Sequence, residues 1–525
     1  MNATGSSYPG YNRRKIIQKR FLDEKRKQSG IAFPSAKTQD HLLIIRFDLT
    51  TSASQDAIRN GLKQLCIMFE RIDKGLNKIE ELSDNGYISR VPLSNFNFSS
   101  TIGFGIGFFD KLKIDSRNRP KKLRRMPDHT GLLDRARYIL EQTDVIIQLC
   151  STSADVNRRI YDNTSGINTI HDSRNNFRYN NPPKKENAIQ NQVLDIRTAI
   201  EDYAIIRDIH AGFQRIDGRN LMGFNDGISN PDRLDNNIVW TTPEDETKKF
   251  SDGTYMVFQK ILHDLEKWRK MDVNKQEEWI GRSKDTGLLL GTLSSSQDRK
   301  MGLDLQSDDP GTREVAMKRW KALFNEQRDP EVRFYDSNQP RFKNIQLECP
   351  VWSHVRKANP RQSDAVGKKL IFRRGYLFMD SGYTVESNSG LLFICFQRDI
   401  ENGFEYIKKK FLNNENFPVP ERRKNFRVAE LNKRRKKSLY ISNQINRPQL
   451  GVEALEGSSK ESSRIDPNSG VSAQNTGREG LSGPSELGVY PTGEFPVTVS
   501  IGGGYYFVPP IPNKKISNIT EQFFD

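Results

Sequence analysis

Long apolar runs are missing from this sequence. No stretch reaches the ~18–20 apolar residues of a membrane-spanning helix. The amino-terminal segment is charged throughout and has no apolar core of a secretory signal. Arg13-Arg14 hints at a twin-arginine signal, but no hydrophobic segment follows it. Cysteine is scarce: Cys66, Cys150, Cys349 and Cys395 are the 4 in 525 residues. None forms a C-x-x-C pair, which argues against a disulfide framework and against common zinc sites. These absences suggest a cytoplasmic chain with reduced thiols. Hydrophobic residues make up only 35%, where roughly 45–50% is usual with glycine counted.

Positive charge is what the sequence has in excess: 82 Lys and Arg against 66 Asp and Glu, a net +16. The excess is local. Residues 1–30, 111–128 and 421–437 carry +6, +6 and +7, so the remainder is slightly acidic. Such clusters are either solvated loops and tails or docking segments for an acidic partner. No aromatic-interleaved basic face accompanies them, which argues against nucleic acid as the main partner.

At about 150 residues per domain the length suggests three or four domains. The pattern suggests fewer. Residues 1–39 are polar and read as a mobile basic arm. A strand is expected over 42–49, then an amphipathic helix over 53–82 with Ile58, Leu62, Leu65 and Phe69 on its apolar side. Further strands are expected over 101–109 and 144–150, and a helix capped by Ser153. This order implies an α+β unit with helices on one face of an antiparallel sheet.

A second α+β set follows an Asn-rich insertion at 164–191. It has strands at 253–262, 370–374 and 391–397, helices at 265–271 and 275–284, and a helix from Asp399 to Leu412 capped by Asp399. Residues 292–345 read as an insertion around one helix. Residues 451–487 are Gly- and Ser-rich with no apolar periodicity, too polar to offset chain ordering. Because F-P-V-T-V-S-I at 495–501 reads as another strand, that stretch is an insertion.

Three segments carry candidate chemistry. Gly223-F-N-Asp226-Gly227-I-S-N-P combines two glycines with an aspartate. It reads as a tight turn, or as backbone that a flat ligand can approach closely. His354 lies in C-P-V-W-S-H-V-R-K-A-N-P-R, followed by Arg356 and Arg361. A histidine beside cations that can pair with carboxylates is what a haem site uses, and it also suits a structural histidine. Arg373-Arg374-Gly375-Tyr376 follows a short apolar run. By contrast, the glycines of Gly103-F-G-I-Gly107 do not fit G-x-G-x-x-G and read as packing on a strand.

Together these segments resemble the dye-decolourising (DyP-type) haem peroxidase family. G-x-x-D-G at 223–227 matches its distal signature, H-x-R-x-x-N-P-R at 354–361 its proximal segment, and R-R-G-Y at 373–376 its distal arginine. I-G-R-S-K-D-T-G at 280–287, 253–270, 390–404 and the late G-G-G-Y-Y-F-V-P-P agree in order. The resemblance implies duplicated ferredoxin-like α+β lobes with haem b between them. One lobe would span 40–215 and the other 216–412 with 491–525, interrupted by a basic, low-complexity insertion at 413–490.

The resemblance further implies reduction of hydrogen peroxide and one-electron oxidation of an organic donor. His354 would ligate the iron, with Asp399 accepting from its other ring nitrogen. Asp226 would shuttle the proton and Arg373 would stabilise charge. Arg356 would pair with a propionate, and Gly223 and Gly227 would let the cofactor approach. The alternative is a haem-binding protein for iron release or haem handling. Assembly into a homo-oligomer is left open.

Overall fold

Apolar runs too short for helices settle into strands that are covered on both faces. V-I-I-Q-L-C-S at Val145–Ser151 is buried at every position, and S-G-L-L-F-I-C-F-Q at Ser389–Gln397 nearly so. The coordinates are a computed structural model of the chain. They describe residues 26–32, 39–73, 78–82, 88–127, 140–162, 195–328, 350, 353–359, 369–380, 389–413 and 497–524.

In chain order the strands are β1 (His41–Leu49), β2 (Lys78–Leu82), β3 (Ile88–Pro92), β4 (Ser99–Phe104), β5 (Val145–Ser151), β6 (Ala204–Phe213), β7 (Thr254–His263), β8 (Phe372–Arg373), β9 (Tyr376–Met379), β10 (Ser389–Gln397) and β11 (Thr498–Val508). β2 and β3 form a separate hairpin. The others form one antiparallel sheet in the order β7-β11-β4-β5-β1-β6-β9-β10-β8, and β7 also pairs with β10. The sheet therefore closes on itself as a barrel, which leaves few open edges.

Two halves of the barrel have related orders. β1, β4, β5 and β6 stand as second, third, first, fourth. Followed the same way round the barrel, β7, the interrupted strand β8 with β9, β10 and β11 also stand as second, third, first, fourth. The halves meet at two thin seams. β11 pairs with β4 through Phe507 and Phe104 alone. β6 pairs with β9 through Phe213 and Leu377 alone.

Alternation along the strands splits the core into two faces. Leu42, Ile44, Ile146, Phe258, Phe396 and Tyr506 pack in one cluster. Phe47, Phe104, Ile147 and Tyr505 face the other way, where Leu62 and Leu65 of the helix Gln55–Asp73 cover them. Full burial of one such leucine contributes about 1.5–3 kcal/mol.

Several expectations change. The helix ends at Asp73, and the stretch expected to extend it holds β2 instead. β4 stops at Phe104, because Gly105 starts the helix Ile106–Lys111. A Cβ at Gly105 would lie 2.3 Å from the Thr143 carbonyl oxygen. The turn carries Phe108 and Phe109 against Phe523. Residues 292–345 hold two helices, Ser295–Leu305 and Pro310–Arg328, with Ser294 and Gln297 forming a capping box on the first. The insertions at 164–191 and 413–490 lie outside the described residues, apart from residue 413.

The mobile-arm reading fails for residues 26–31. Ile31 and Gln28 are buried. The Gln28 side chain accepts from Ile102 N–H at 2.8 Å and donates to Ile102 C=O at 3.1 Å and Pro509 C=O at 3.0 Å. It thus substitutes for a strand neighbour where the β4–β11 seam is open. The basic segment at 111–128 is also engaged within the molecule: Lys111 pairs with Asp144 at 2.6 Å, Lys122 with Asp399, and Arg124 with Glu401 and, at 2.8 Å, Glu405. The Lys122 and Arg124 pairs join the two halves of the barrel, which weakens the docking role expected of that cluster. Among the described residues no helix is long and apolar enough to cross a membrane.

Candidate active site

The Gly223–Gly227 segment is a tight turn on a hairpin-like base. Arg219 bridges Asn225, Asn220 N–H donates to the Phe224 carbonyl at 2.8 Å, and the Asn220 side chain accepts from Phe224 N–H at 3.1 Å. Gly223 has φ +89° and Gly227 φ +70°, conformations that favour glycine. The two glycines differ in surroundings. A Cβ on Gly223 would meet Lys284 Cε at 2.7 Å, whereas nothing lies within 4 Å of one on Gly227. Gly223 is glycine for its backbone conformation, with the flexible end of Lys284 close beside it. Gly227 faces open space.

The turn is braced from behind. Arg219 donates to the carbonyls of Gly223 at 2.7 Å, Lys284 at 2.5 Å and Asp285 at 3.2 Å. A Cβ on Gly287 would lie 2.5 Å from the Asn225 side chain. Asp226 is exposed, and its Oδ1 accepts from Gly227 N–H at 2.6 Å.

Arg373 stands on β8, opposite Cys395 of β10. Alternation sends Arg374 the other way, where it donates to the Gly30 carbonyl at 2.5 Å and to Gln39. The Arg373 guanidinium donates to the Ile228 carbonyl at 2.9 Å. Burial pulls its pKa below the usual value, and the Asp226 charge pulls it back up. Asp226 and Arg373 therefore lie within electrostatic reach of each other.

His354 opens the short helix His354–Ala358. Gly281, at φ +89°, ends the helix Val273–Ile280 and lets this one approach: a Cβ there would lie 2.5 Å from both Ser353 Oγ and Val355 Cγ2. Burial lowers the His354 pKa to about 4, with Arg373 and Lys408 acting the same way. Yet His354 and Arg373 both keep part of their surface open.

Arg356 is buried on the same short helix. Asp399 does not reach His354. Its oxygens accept from Glu401 N–H at 2.9 Å, Asn402 N–H at 3.0 Å and the Asn402 side chain at 2.8 Å, and pair with Lys122. It caps the following helix as expected, and His354 is not among these partners. That helix is wound as two π-helical pieces, Glu401–Glu405 and Ile407–Leu412, and Gly403 breaks its regularity at φ −99°, ψ −105°. Its second half packs against the His354 helix.

One positioning residue had no sequence signal of its own. Asn230 makes two bonds to the Arg373 backbone, donating to its carbonyl at 2.8 Å and accepting from its N–H at 2.9 Å. Asparagine is common in loops, and only the fold reveals which strand it meets.

Comparison with known proteins bears on this geometry. The family pattern described as Dyp-type peroxidase, N-terminal, matches residues 28–175, and Dyp-type peroxidase, C-terminal, matches 217–418. The chain is similar to a protein of Escherichia coli (strain K12) named deferrochelatase, 26% identical over 407 residues that cover 74% of this chain and 78% of that one. Among solved structures it is similar to ferric DtpA from Streptomyces lividans, at 22% identity and TM-score 0.47, covering 73% and 85% of the two chains. A dye-decolorizing protein from V. cholerae gives 15% identity and TM-score 0.47, covering 94% and 99%.

Proposed function

Because this chain belongs to the DyP-type peroxidase family, we propose that it reduces hydrogen peroxide and oxidises organic donors such as dyes and phenolics one electron at a time, with haem b as cofactor. The observation that carries the reading is the meeting of three sequence-distant residues. Arg373 lies within electrostatic reach of both Asp226 and His354.

The residues present fit the cofactor. His354 would hold the haem iron, since a histidine held neutral can act as a metal ligand. Burial that lowers the His354 pKa to about 4 keeps the ring neutral above that pH. The partly open flanks of His354 and Arg373, and the open space beside Gly227, suit a flat ligand. Arg356 would pair a propionate, because planar guanidinium matches a carboxylate. The two related strand orders support duplicated ferredoxin-like lobes, one over 40–215 and the other over 216–412 with 491–525.

Haem b, when bound, supplies the redox chemistry that takes up the oxidising equivalents of peroxide and passes them on as single electrons. The chain's own residues handle protons and charge. Asp226 takes the proton from one peroxide oxygen and returns it to the other, so that water leaves. Its exposure lets peroxide reach it. Arg373 stabilises the charge on the departing oxygen and keeps a cation beside the Asp226 carboxylate. The bond to the Ile228 carbonyl fixes where the guanidinium stands.

Relatives named deferrochelatase favour a second reading, a haem-binding protein for iron release with incidental peroxidase activity. One experiment separates the two. The purified chain is loaded with haem, its absorption spectrum is followed on adding peroxide, and dye turnover is compared with iron release. A haem band that shifts with peroxide, with turnover of the dye, supports the peroxidase. Iron release without dye turnover supports the alternative, and no haem band after reconstitution sinks both.

A further inference from the structure

The distal turn is held from two sides by consecutive residues. Ile228 and Asn230 bind Arg373 through three hydrogen bonds. Ser229, between them, turns the other way, and its hydroxyl donates to the backbone carbonyl of Gln327 at 2.5 Å. Gln327 is the penultimate residue of the helix Pro310–Arg328, in the segment that reads from sequence as an insertion around one helix.

Gln327 is itself anchored firmly. It is 2% exposed. Its side-chain oxygen accepts from Leu289 N–H at 2.8 Å and from Arg282 at 3.3 Å, and its amide donates to Thr292 Oγ1 at 2.8 Å. Arg282 also donates to the Gly287 carbonyl at 2.9 Å, and Gly287 lies against Asn225. The helix end therefore grips the turn at two points that flank Asp226, one at Asn225 through Gly287 and one at Ser229.

Ser229 also has φ +58°. A non-glycine residue is rare in this left-handed region, and glycine would enter it without strain. A residue chosen only for the shape of the turn would be glycine, like Gly223 and Gly227 nearby. Serine offers what glycine cannot, a hydroxyl aimed at the helix end.

We propose that Ser229 and the carboxyl end of the helix Pro310–Arg328 clamp the distal turn and set the position of Asp226 against Arg373. The clamp acts by positioning and touches no substrate. It rests on the peroxidase reading above, because it assigns a purpose to the spacing of those two residues.

Two substitutions separate the hydroxyl from the backbone shape. Ser229→Gly keeps the positive φ and removes the donor. Ser229→Asn keeps both, since asparagine tolerates this region and carries an N–H donor. Both are made in the full-length chain and loaded with haem. Amide hydrogen exchange is followed over 224–231 with and without haem, and the second-order rate with hydrogen peroxide and the KM for a dye are measured.

Ser229→Gly is expected to speed exchange over 224–231 and to lower the peroxide rate by about tenfold to a hundredfold. Haem uptake and the dye KM should match the parent, and Ser229→Asn should stay near it. A Gly variant with the parent's peroxide rate overturns the clamp, as does an Asn variant that loses as much as Gly. If the parent takes up haem and turns over peroxide, such a failure concerns the clamp alone. A parent that takes up no haem overturns the peroxidase reading and the clamp's purpose with it.

Discussion

The Asn230 side chain and the Arg373 backbone form a reciprocal pair, with N···O distances of 2.8 and 2.9 Å. An amide side chain carries a donor and an acceptor side by side, as a peptide unit does. Arg373 has β10 on one side and Asn230 on the other. The loop bearing Asp226 is thereby attached to the short strand bearing the arginine.

Asn230→Ala should remove both bonds and leave the Arg373 N–H and C=O short of partners. A cost of about 1–3 kcal/mol in unfolding free energy is expected, read from denaturant midpoints. The rate with peroxide should fall further than haem affinity does. Equal losses in both would argue that the pair supports the fold and nothing more.

His354→Ala should lose haem or its axial bond, visible as a changed or absent haem band. Arg373→Leu should retain haem and lose peroxide turnover by about a hundredfold or more, as when one preorganised charge-stabilising donor is removed. Full activity in the leucine variant would move the distal assignment elsewhere.

Dye oxidation should peak on the acid side of neutrality. Ordinary carboxylates titrate near ~3.9 and histidines near ~6.5, so a carboxylate base works at pH values where a histidine base is spent. A rate maximum above neutral would count against Asp226 as the proton carrier.

Stability should run against activity in that range. His263, buried at the end of β7, has its pKa lowered by burial from 6.5 to about 4. The unfolded chain takes up this proton near 6.5 and the folded chain only near 4. The group's share of stability is thus full above ~6.5 and lost as pH falls through that window, with a slope of up to about 1.4 kcal/mol per pH unit. His263→Leu should flatten the pH dependence of unfolding between 6.5 and 4 by close to one proton. An identical slope in the variant would mean that His263 titrates normally in the folded protein.

Gln28→Ala should leave the Ile102 N–H and C=O buried at the seam without the bonds that the side chain supplies. About 2–3 kcal/mol of destabilisation is expected. If the alanine variant melts with the parent, water serves Ile102 as well as Gln28 does.

What is legible in the sequence follows local rules. β5 and β10 are readable because short, mostly apolar runs, V-I-I-Q-L-C and L-L-F-I-C-F, fit buried strands. Ser153 is readable as a cap because its hydroxyl serves Val156 N–H, three residues away. The turn from β4 into the helix at Ile106 is not, since G-F-G-I-G-F-F suits either state until Thr143 closes in on Gly105.

The site divides the same way. Asp226, His354 and Arg373 stand out through resemblance. Asn230 and Ser229 act through distant partners, and Ser353 packs against Gly281. No local spacing encodes any of these contacts. Asp399 misleads for a related reason. A carboxylate at a helix start looks available in sequence, but its oxygens serve Glu401, Asn402 and Lys122.

The two thin seams have a mechanical meaning. Each half of the barrel completes most of its ladder within itself; among the described residues Phe104 with Phe507, Phe213 with Leu377 and the single bridge of Leu140 with Gly502 pair across the halves. Under load such a barrel parts along its joints before its strands fray. Gln28 bolts one joint, and Arg374, next to Arg373 in the chain, reaches back to Gly30 in the same segment. The strand that carries Arg373 is thereby tied, one residue away, to the segment that bolts this joint.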